Sequence, residues 1–186
     1  MSEIMQNENS RLIRTCGYEK LCIEPWGRDS LRVRATRDRD FTDEHWALLP
    51  PEESSADVSI TGDAASIRNG KIYAEISDEG DITFYRNDGK MILKEYVRNR
   101  NHIDRYCSTL SIAPRDLRPI IGGDYSLTAR FESVREEKIY GMGQYQQEFL
   151  NLKGCVLELA HRNSQASVPF ALSDQGYGFL WNNPAI

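Results

Sequence analysis

The strongest constraint on the fold is a stretch at residues 71–97, in which apolar and polar residues alternate between short turns. Residues 72–76 and 82–84 alternate in this way, and a third apolar run follows them. The turn before the third run contains Asp88 and Gly89, a strong hairpin signal because glycine accepts a positive φ angle without steric cost. Because successive side chains of a strand point to opposite faces of a sheet, the pattern predicts a three-stranded meander.

Short alternating runs of this kind recur along most of the chain. Arg32 and Arg34 alternate with apolar neighbours, which predicts a hairpin with one solvated face, and residues 155–160 also have the composition of a strand. No long stretch shows the 3.6-residue period of an amphipathic helix. About ten or more short strands separated by turns predict an all-β sandwich or barrel over residues 11–186, after a flexible tail at 1–10.

Charge and hydrophobicity limit the partners and the location of the protein. The net charge is −5, and acidic residues interrupt the basic stretches, which argues against a nucleic-acid partner. No run approaches the roughly 20 apolar residues that cross a membrane. The N-terminal residues are polar and acidic and lack the features of a secretory signal, so we expect a cytoplasmic protein without a membrane partner.

The usual motifs for metals and cofactors are absent from the sequence. The four cysteines form no CxxC pair, and the three histidines lack a metal-ligand spacing, so no metal site is predicted. Gly141 and Gly143 begin a pattern like the dinucleotide fingerprint, but Gln146 stands where its third glycine would lie, and no phosphate-binding loop occurs. The sequence therefore predicts neither a cofactor nor a complete catalytic pair.

The last fifty residues differ from the rest because they are dense in glycine, aromatic and amide side chains. Within them, a polar loop at residues 161–167 precedes two apolar strands at 168–173 and 177–181. Amide groups both donate and accept hydrogen bonds, and aromatic rings stack on the apolar face of a sugar, so this composition suits a carbohydrate. The alternative is that these polar groups merely cap turns.

The same region resembles a known family in an ordered series of features. The pattern is an aromatic-Gly-x-Gly-Gln turn, an amide-containing loop, an apolar Pro-Phe strand and a Gly-Tyr-Gly strand that ends in an aromatic residue. The matching positions are Tyr140, Gly141, Gly143, Gln144, Gly154, Asn163, Gln165, Pro169, Phe170, Gly176, Tyr177, Gly178, Trp181 and Asn183. In these features the chain is similar to the N-terminal domain of glycoside hydrolase family 31, which includes α-glucosidases, α-xylosidases and transglucosylases. The resemblance is weak from about residue 12 onward and strong over residues 136–186.

The resemblance implies a galactose-mutarotase-like β-sandwich (a supersandwich), the N-terminal domain of a multi-domain retaining α-glycosidase. The family's (β/α)₈ barrel, which carries the two catalytic aspartates, is absent from this sequence, so the chain is expected not to hydrolyse anything alone. It also implies that the sandwich is cut before its last strand or strands. The implied partners are the protein's own C-terminal barrel and an α-linked gluco- or xylo-oligosaccharide.

The resemblance further implies that a loop of this domain reaches over the barrel mouth and shapes the sugar site. By position that loop is His161 to Ser167, with Asn163 and Gln165 as hydrogen-bond partners of the substrate and Arg162 as a third. The alternative for Arg162 is a salt bridge to the barrel. Two other functions stay open: a free-standing carbohydrate-binding or mutarotase-like sandwich, although the histidines lack an obvious His–Glu pair, and a purely structural domain.

Overall fold

The computed structural model describes residues 3–42, 47–51, 54–98 and 111–182, which contain fourteen strands and no helix. This confirms the all-β class. The strands are β1 (Glu3–Glu8), β2 (Arg11–Cys16), β3 (Glu19–Pro25), β4 (Leu31–Thr36), β5 (Asp57–Thr61), β6 (Ala64–Asn69), β7 (Ile72–Ile76), β8 (Ile82–Arg86), β9 (Met91–Lys94), β10 (Arg115–Pro119), β11 (Tyr125–Ala129), β12 (Ile139–Gln144), β13 (Ala166–Ser173) and β14 (Tyr177–Leu180). Among the described residues no helix is long and apolar enough to span a bilayer.

The chain divides into two compact units, Met1–Glu44 with Pro50–Glu132, and His45–Leu49 with Ser133–Ile186. The first unit holds the antiparallel sheets β1-β2-β3-β4 and β5-β6-β7-β8-β9 and the pair β10-β11. The first two sheets share one core, so they form a sandwich. Its buried members are Leu12, Leu21, Ile23, Ala56, Ala65, Ile67, Ala74, Ile76 and Ile82. The meander predicted at residues 71–97 is confirmed as β7, β8 and β9.

The first hairpin corrects the flexible tail predicted for residues 1–10. Glu3–Glu8 forms β1, which pairs with β2 from Glu3↔Cys16 to Glu8↔Arg11. The connecting turn has two residues, Asn9 and Ser10, and both have positive φ angles (52° and 62°), as a type I′ turn requires. Met5 of β1 packs against the core of the sandwich, and this apolar contact holds the strand in place.

The outer face of β4 is less solvated than the sequence predicts. Arg32 and Arg34 do point away from the core, but each stacks on an aromatic ring, Arg32 on Trp26 at 4.5 Å and Arg34 on Phe41 at 4.9 Å. Both guanidinium groups also lie within ion-pair distance of the buried carboxylate of Glu24. Arginine can cover apolar surface with its planar head, so this face is a packed ionic layer.

The second unit holds one antiparallel sheet in the order β12-β13-β14. Residues 177–180 of the predicted last strand form β14, which pairs with β13 from Phe170↔Leu180 to Ser173↔Tyr177. The strand predicted at residues 155–160 is wrong, because this segment is irregular and Val156 is almost fully exposed. A turn in which the Cys155 N–H bonds to the Leu152 carbonyl starts the segment, and no strand pairs with it among the described residues.

Candidate functional site

The polar loop before β13 closes as a tight turn. The Gln165 N–H donates to the Arg162 carbonyl at 3.0 Å, with Asn163 and Ser164 as the two central residues. Ser164 has a φ of 67°, in the left-handed region that only some turn types place at this position. The turn therefore fixes where the side chains of Arg162 and Gln165 leave the backbone.

A shallow depression of about 520 Å³ lies beside this turn. One wall is the end of β12 and the residues after it, Gln144, Tyr145 and Gln146, and the other is Ser164, Gln165 and Ala166. The walls meet because β12 and β13 are antiparallel, with Gln144 opposite Ala166. Three amides and two hydroxyls offer both donors and acceptors, which is the chemistry that a ligand with several hydroxyl groups needs.

The three predicted sugar-binding residues occupy different places. Gln165 lines the depression and is half-buried, whereas Asn163 lies at the exposed tip of the turn and is not among its lining residues. Arg162 is exposed and forms an ion pair with Glu158 in this same chain. The roles of all three stay predictions.

The other lining residues were not predicted as site residues from the sequence. Gln144 and Gln146 were noted only as parts of the glycine pattern, Ser164 only as a member of the 161–167 loop, and Tyr145 was not singled out. Their place depends on the β12–β13 pairing, which joins residues more than twenty positions apart. The sequence feature that could have indicated these residues is the Gln-Tyr-Gln run at the end of β12. It points to a site only once the strand that pairs with β12 is known.

Hydrogen bonds from the body of the unit support the root of the loop. The Tyr145 hydroxyl lies 2.7 Å from the Ser167 hydroxyl, and the Ser167 N–H donates to Nδ1 of His161 at 3.4 Å. His161 therefore serves the loop as a hydrogen-bond acceptor through Nδ1. The first bond joins the residue after β12 to β13, and the second joins the start of the loop to β13.

A buried carboxylate anchors the other end of the sheet. Glu137 accepts hydrogen bonds from the Ser173 and Tyr177 hydroxyls, both at 2.6 Å, and forms an ion pair with Lys153 at 2.7 Å. Burial alone raises the pKa of Glu137, but the bonds from Lys153, Ser173 and Tyr177 outweigh it and hold that pKa below its ordinary value. Burial and the same carboxylate raise the pKa of Tyr177. The group thus ties the start of β12 to the β13–β14 turn.

Replacing Glu137 with glutamine is expected to destabilise the second unit by about 1.5–3 kcal/mol at pH 7, because charged hydrogen bonds are lost. A carboxyl whose folded pKa is depressed stabilises above its unfolded value, 4.5, and the stabilisation is lost as pH falls through the folded pKa. The variant should therefore show a flatter decline of stability below pH 4.5. Chemical unfolding across pH checks this. Its exposed neighbour is the control: Glu136→Gln should stay within about 0.5 kcal/mol of wild type, and an equal loss would contradict the assignment.

Within the part of the chain that the structure describes, no group of three or more His, Cys, Asp or Glu residues could hold a metal ion. The arrangement in the second unit is instead a set of neutral donors and acceptors held by a rigid turn. Such a set can orient a polar ligand by hydrogen bonding.

Sequence and structure comparisons decide the family. The family described as glycosyl hydrolase 31 N-terminal galactose mutarotase-like domain matches residues 20–186. The chain belongs to this family. The resemblance read from residues 136–186 is thereby confirmed, and so is the galactose-mutarotase-like fold class.

Proteins that are similar to this chain agree with the family assignment. An uncharacterized family 31 glucosidase, ORF2, from Pseudescherichia vulneris is 47% identical over 197 residues, which cover 100% of this chain and 37% of the relative. Alpha-xylosidase A of Aspergillus niger is 31% identical over 91% of this chain and 25% of its own length. The crystal structure of a GH31 alpha-xylosidase from a soil metagenome, complexed with xylose, superposes with a TM-score of 0.91 at 49% identity, covering 100% of this chain and 28% of that one.

The domain is thus a minor part of the proteins it resembles. It spans about a third of the P. vulneris relative and about a quarter of the other two. A GH31 α-xylosidase from Xanthomonas citri, at 27% identity and a TM-score of 0.75, shows the same relation, with 97% of this chain covering 18% of that structure.

Proposed function

We propose that this chain is the N-terminal domain of a retaining α-glycosidase of the α-xylosidase or α-glucosidase kind. In this proposal it packs on a C-terminal catalytic barrel, lends the loop at residues 161–167 to the sugar site, and performs no chemistry itself. The full enzyme acts on an α-linked gluco- or xylo-oligosaccharide. The observation that carries the proposal is the family match over residues 20–186, supported by an α-xylosidase structure at 49% identity over the whole chain.

The geometry of the second unit supports a part in sugar recognition. Gln165 presents an amide to the depression, and Gln144, Gln146 and Tyr145 face it from the other wall. Asn163 lies at the tip of the same turn, and Arg162 lies at its start. Convergent amides and hydroxyls set orientation and specificity in sugar sites, while the reacting carboxylates come from elsewhere.

The mutarotase-like alternative receives no support from the described histidine. That reaction needs a His–Glu pair facing the ligand, but His161 is not among the residues that line the depression. Among the described residues, those that line the depression therefore offer hydrogen-bonding groups and no histidine.

The class of enzyme is tested directly by the open reading frame that contains this chain. Sequencing beyond codon 186 should show a barrel with an aspartate nucleophile. The purified product should release the leaving group from aryl α-xylosides or aryl α-glucosides, with retention of configuration. A product that contains a different kind of domain, or that leaves both substrates intact, would overturn the proposal.

Replacing Gln165 with alanine in the full-length protein is expected to lower kcat/KM about 5- to 100-fold. Loss of one partner to a desolvated sugar hydroxyl costs about 1–3 kcal/mol. Steady-state kinetics on the preferred α-glycoside measures the effect. Because Asn163 is predicted to act on the same substrate, the Asn163→Ala/Gln165→Ala double variant should be weaker still.

The matched control is Gln175→Ala, which removes an amide from the β13–β14 turn at the opposite end of the same strand. It should keep kcat/KM within about twofold of wild type, since surface substitutions stay within about 0.5 kcal/mol. Full activity in the Asn163→Ala/Gln165→Ala protein would show that the loop assignment is wrong, even if the enzyme class is right.

A further inference from the structure

One face of the sheet in the second unit is apolar and uncovered in the described chain. Val168, Phe170 and Leu172 alternate along β13 and are 52%, 38% and 49% exposed. Leu180 lies opposite Phe170 on β14 and is 44% exposed. Because side chains two apart share a face of a strand, these four residues lie together, and we call them the apolar face.

The Phe170 ring of the apolar face lies against the sheet. Gly178 lies opposite Leu172, and a Cβ atom added at Gly178 would meet Cζ of the Phe170 ring at 2.5 Å. The Phe170 ring therefore lies across the neighbouring strand and does not stand away from the sheet. An aromatic ring laid on the surface of a sheet suits packing by another layer of protein structure.

The other face of the same strands carries the polar network already described. Ser167 bonds to Tyr145, and Ser173 bonds to Glu137. The alternation of β13 thus places its serine hydroxyls on the face where they have hydrogen-bond partners. Its large apolar side chains lie on the opposite face, where the described residues leave them partly exposed. Scattered exposed apolar residues are normal, but a contiguous group of four on one sheet marks a surface that another protein element covers.

We infer that the apolar face is the docking surface for the part of the full-length polypeptide C-terminal to this chain. The inference rests on the proposed function, because it takes that polypeptide as the occupant. The similar soil-metagenome α-xylosidase has nearly three-quarters of its length outside the matched region. A segment in the same polypeptide has an effective concentration near millimolar, which favours it over a second copy at ordinary protein concentration.

Site-specific labelling tests this inference without any catalytic assay. Leu172→Cys is introduced into the 186-residue chain and into the full-length protein, and its maleimide labelling rate is followed by peptide mass spectrometry. The control is Met91→Cys on β9 of the first unit, because Met91 is 44% exposed, close to the value for Leu172. We expect Leu172→Cys to label at least about tenfold more slowly in the full-length protein, as burial excludes the reagent.

Two results would overturn the inference. One is equal labelling of Leu172→Cys in the two proteins. The other is protection in the 186-residue chain that grows with its concentration, which would identify a second copy as the occupant. A full-length protein that protects Leu172→Cys but cleaves no α-glycoside would leave the docking surface standing while the proposed function fails.

A charged variant gives a second readout in case the cysteine change perturbs folding. Leu172→Glu should lower the Tm of the full-length protein by several degrees, because it buries an unpaired carboxylate, and should change the Tm of the 186-residue chain by about 2 °C at most. Met91→Glu serves again as the control. Equal Tm shifts for Leu172→Glu in both proteins would also overturn the inference.

Discussion

Replacing Arg115 with alanine is expected to destabilise the first unit by about 3–5 kcal/mol, because it leaves a buried carboxylate without its cation. The Arg115 and Glu95 side chains are only 5% and 4% exposed, and the guanidinium donates directly to the Glu95 carboxylate. It also donates to Glu19 at 2.9 Å and to the Gly80 carbonyl at 2.7 Å. One arginine at the start of β10 thus joins strand β3, the loop before β8 and the residue after β9.

The destabilisation caused by Arg115→Ala should depend on pH, and its direction follows from the pKa of Glu95. Burial raises the pKa of Glu95, and the positive charge of Arg115 opposes that rise. Without Arg115 the pKa of Glu95 rises further, so the ionised form becomes more costly to bury. A carboxyl with a raised folded pKa contributes stability that is present below its unfolded value, 4.5, and lost as pH rises through the folded pKa. The deficit should therefore be largest near neutral pH and should shrink as pH falls toward 4.5.

Urea unfolding at pH 7 and at pH 4 measures both the free-energy cost of Arg115→Ala and its dependence on pH. Arg118→Ala is the matched control, since Arg118 lies on the same strand and pairs with Asp116 at the surface. It should cost at most about 1 kcal/mol. A double replacement, Glu95→Leu with Arg115→Met, should be more stable than Arg115→Ala alone because no buried charge remains. A cost for Arg115→Ala no larger than that of Arg118→Ala would contradict the account.

Most of the fold was predictable because the side-chain period of a strand is visible in a single sequence. The meander of β7, β8 and β9 follows directly from alternation and from the Asp88-Gly89 turn. The hairpin of β13 and β14 follows from two apolar runs around Gly176, whose φ of 86° fits the turn. In both places local preference and final structure agree.

The errors come from places where the deciding interaction is not local. The turn at Asn9 and Ser10 contains no glycine, so its positive φ angles leave little trace in the sequence, and β1 was taken as a tail. Residues 155–160 have the apolar composition of a strand, but pairing depends on a partner elsewhere in the chain. An isolated apolar segment without hydrogen-bond partners gains little by being extended.

The candidate site was only partly predictable for the same reason. Gln165 could be singled out as an amide in a polar loop, but Gln144 and Tyr145 become its neighbours only through the β12–β13 register. The ion pair of Arg115 with Glu19 likewise joins residues far apart in the sequence. Composition predicts which chemical groups such a site contains. Which residues lie opposite one another in the site can be known only from the strand topology.

Replacing Gly143 with alanine is expected to destabilise the second unit by about 2–6 kcal/mol, through backbone strain and overpacking together. Gly143 has a φ of 111°, a region that residues with a Cβ rarely adopt. A Cβ at this position would overlap the Ala166 carbonyl and would lie 2.8 Å from the Val168 nitrogen. These are backbone atoms of the paired strand, so they cannot move aside without breaking the β12–β13 ladder.

Gly89→Ala is the matched control for Gly143→Ala. Its φ of 81° is also positive, but no atom lies within 4 Å of the added Cβ, so only strain of about 1–2 kcal/mol is expected. Hydrogen exchange should separate the two variants by location. Gly143→Ala should speed exchange in residues 166–173, and Gly89→Ala should act only on residues 82–94, to a smaller extent. Similar exchange in both variants would show that close strand approach is not what requires glycine at 143.

The Gly143 variant also connects the fold to the site, because the residue lies at the bulge where β12 changes register against β13. Gln144 and Tyr145 follow directly, and their position against Gln165 depends on that bulge. A separation of only a few tenths of an ångström more would weaken hydrogen bonds to a ligand held between the walls. If the depression contributes to sugar binding, Gly143→Ala should therefore lower kcat/KM in the full-length protein even at temperatures where it remains folded, whereas Gly89→Ala should not.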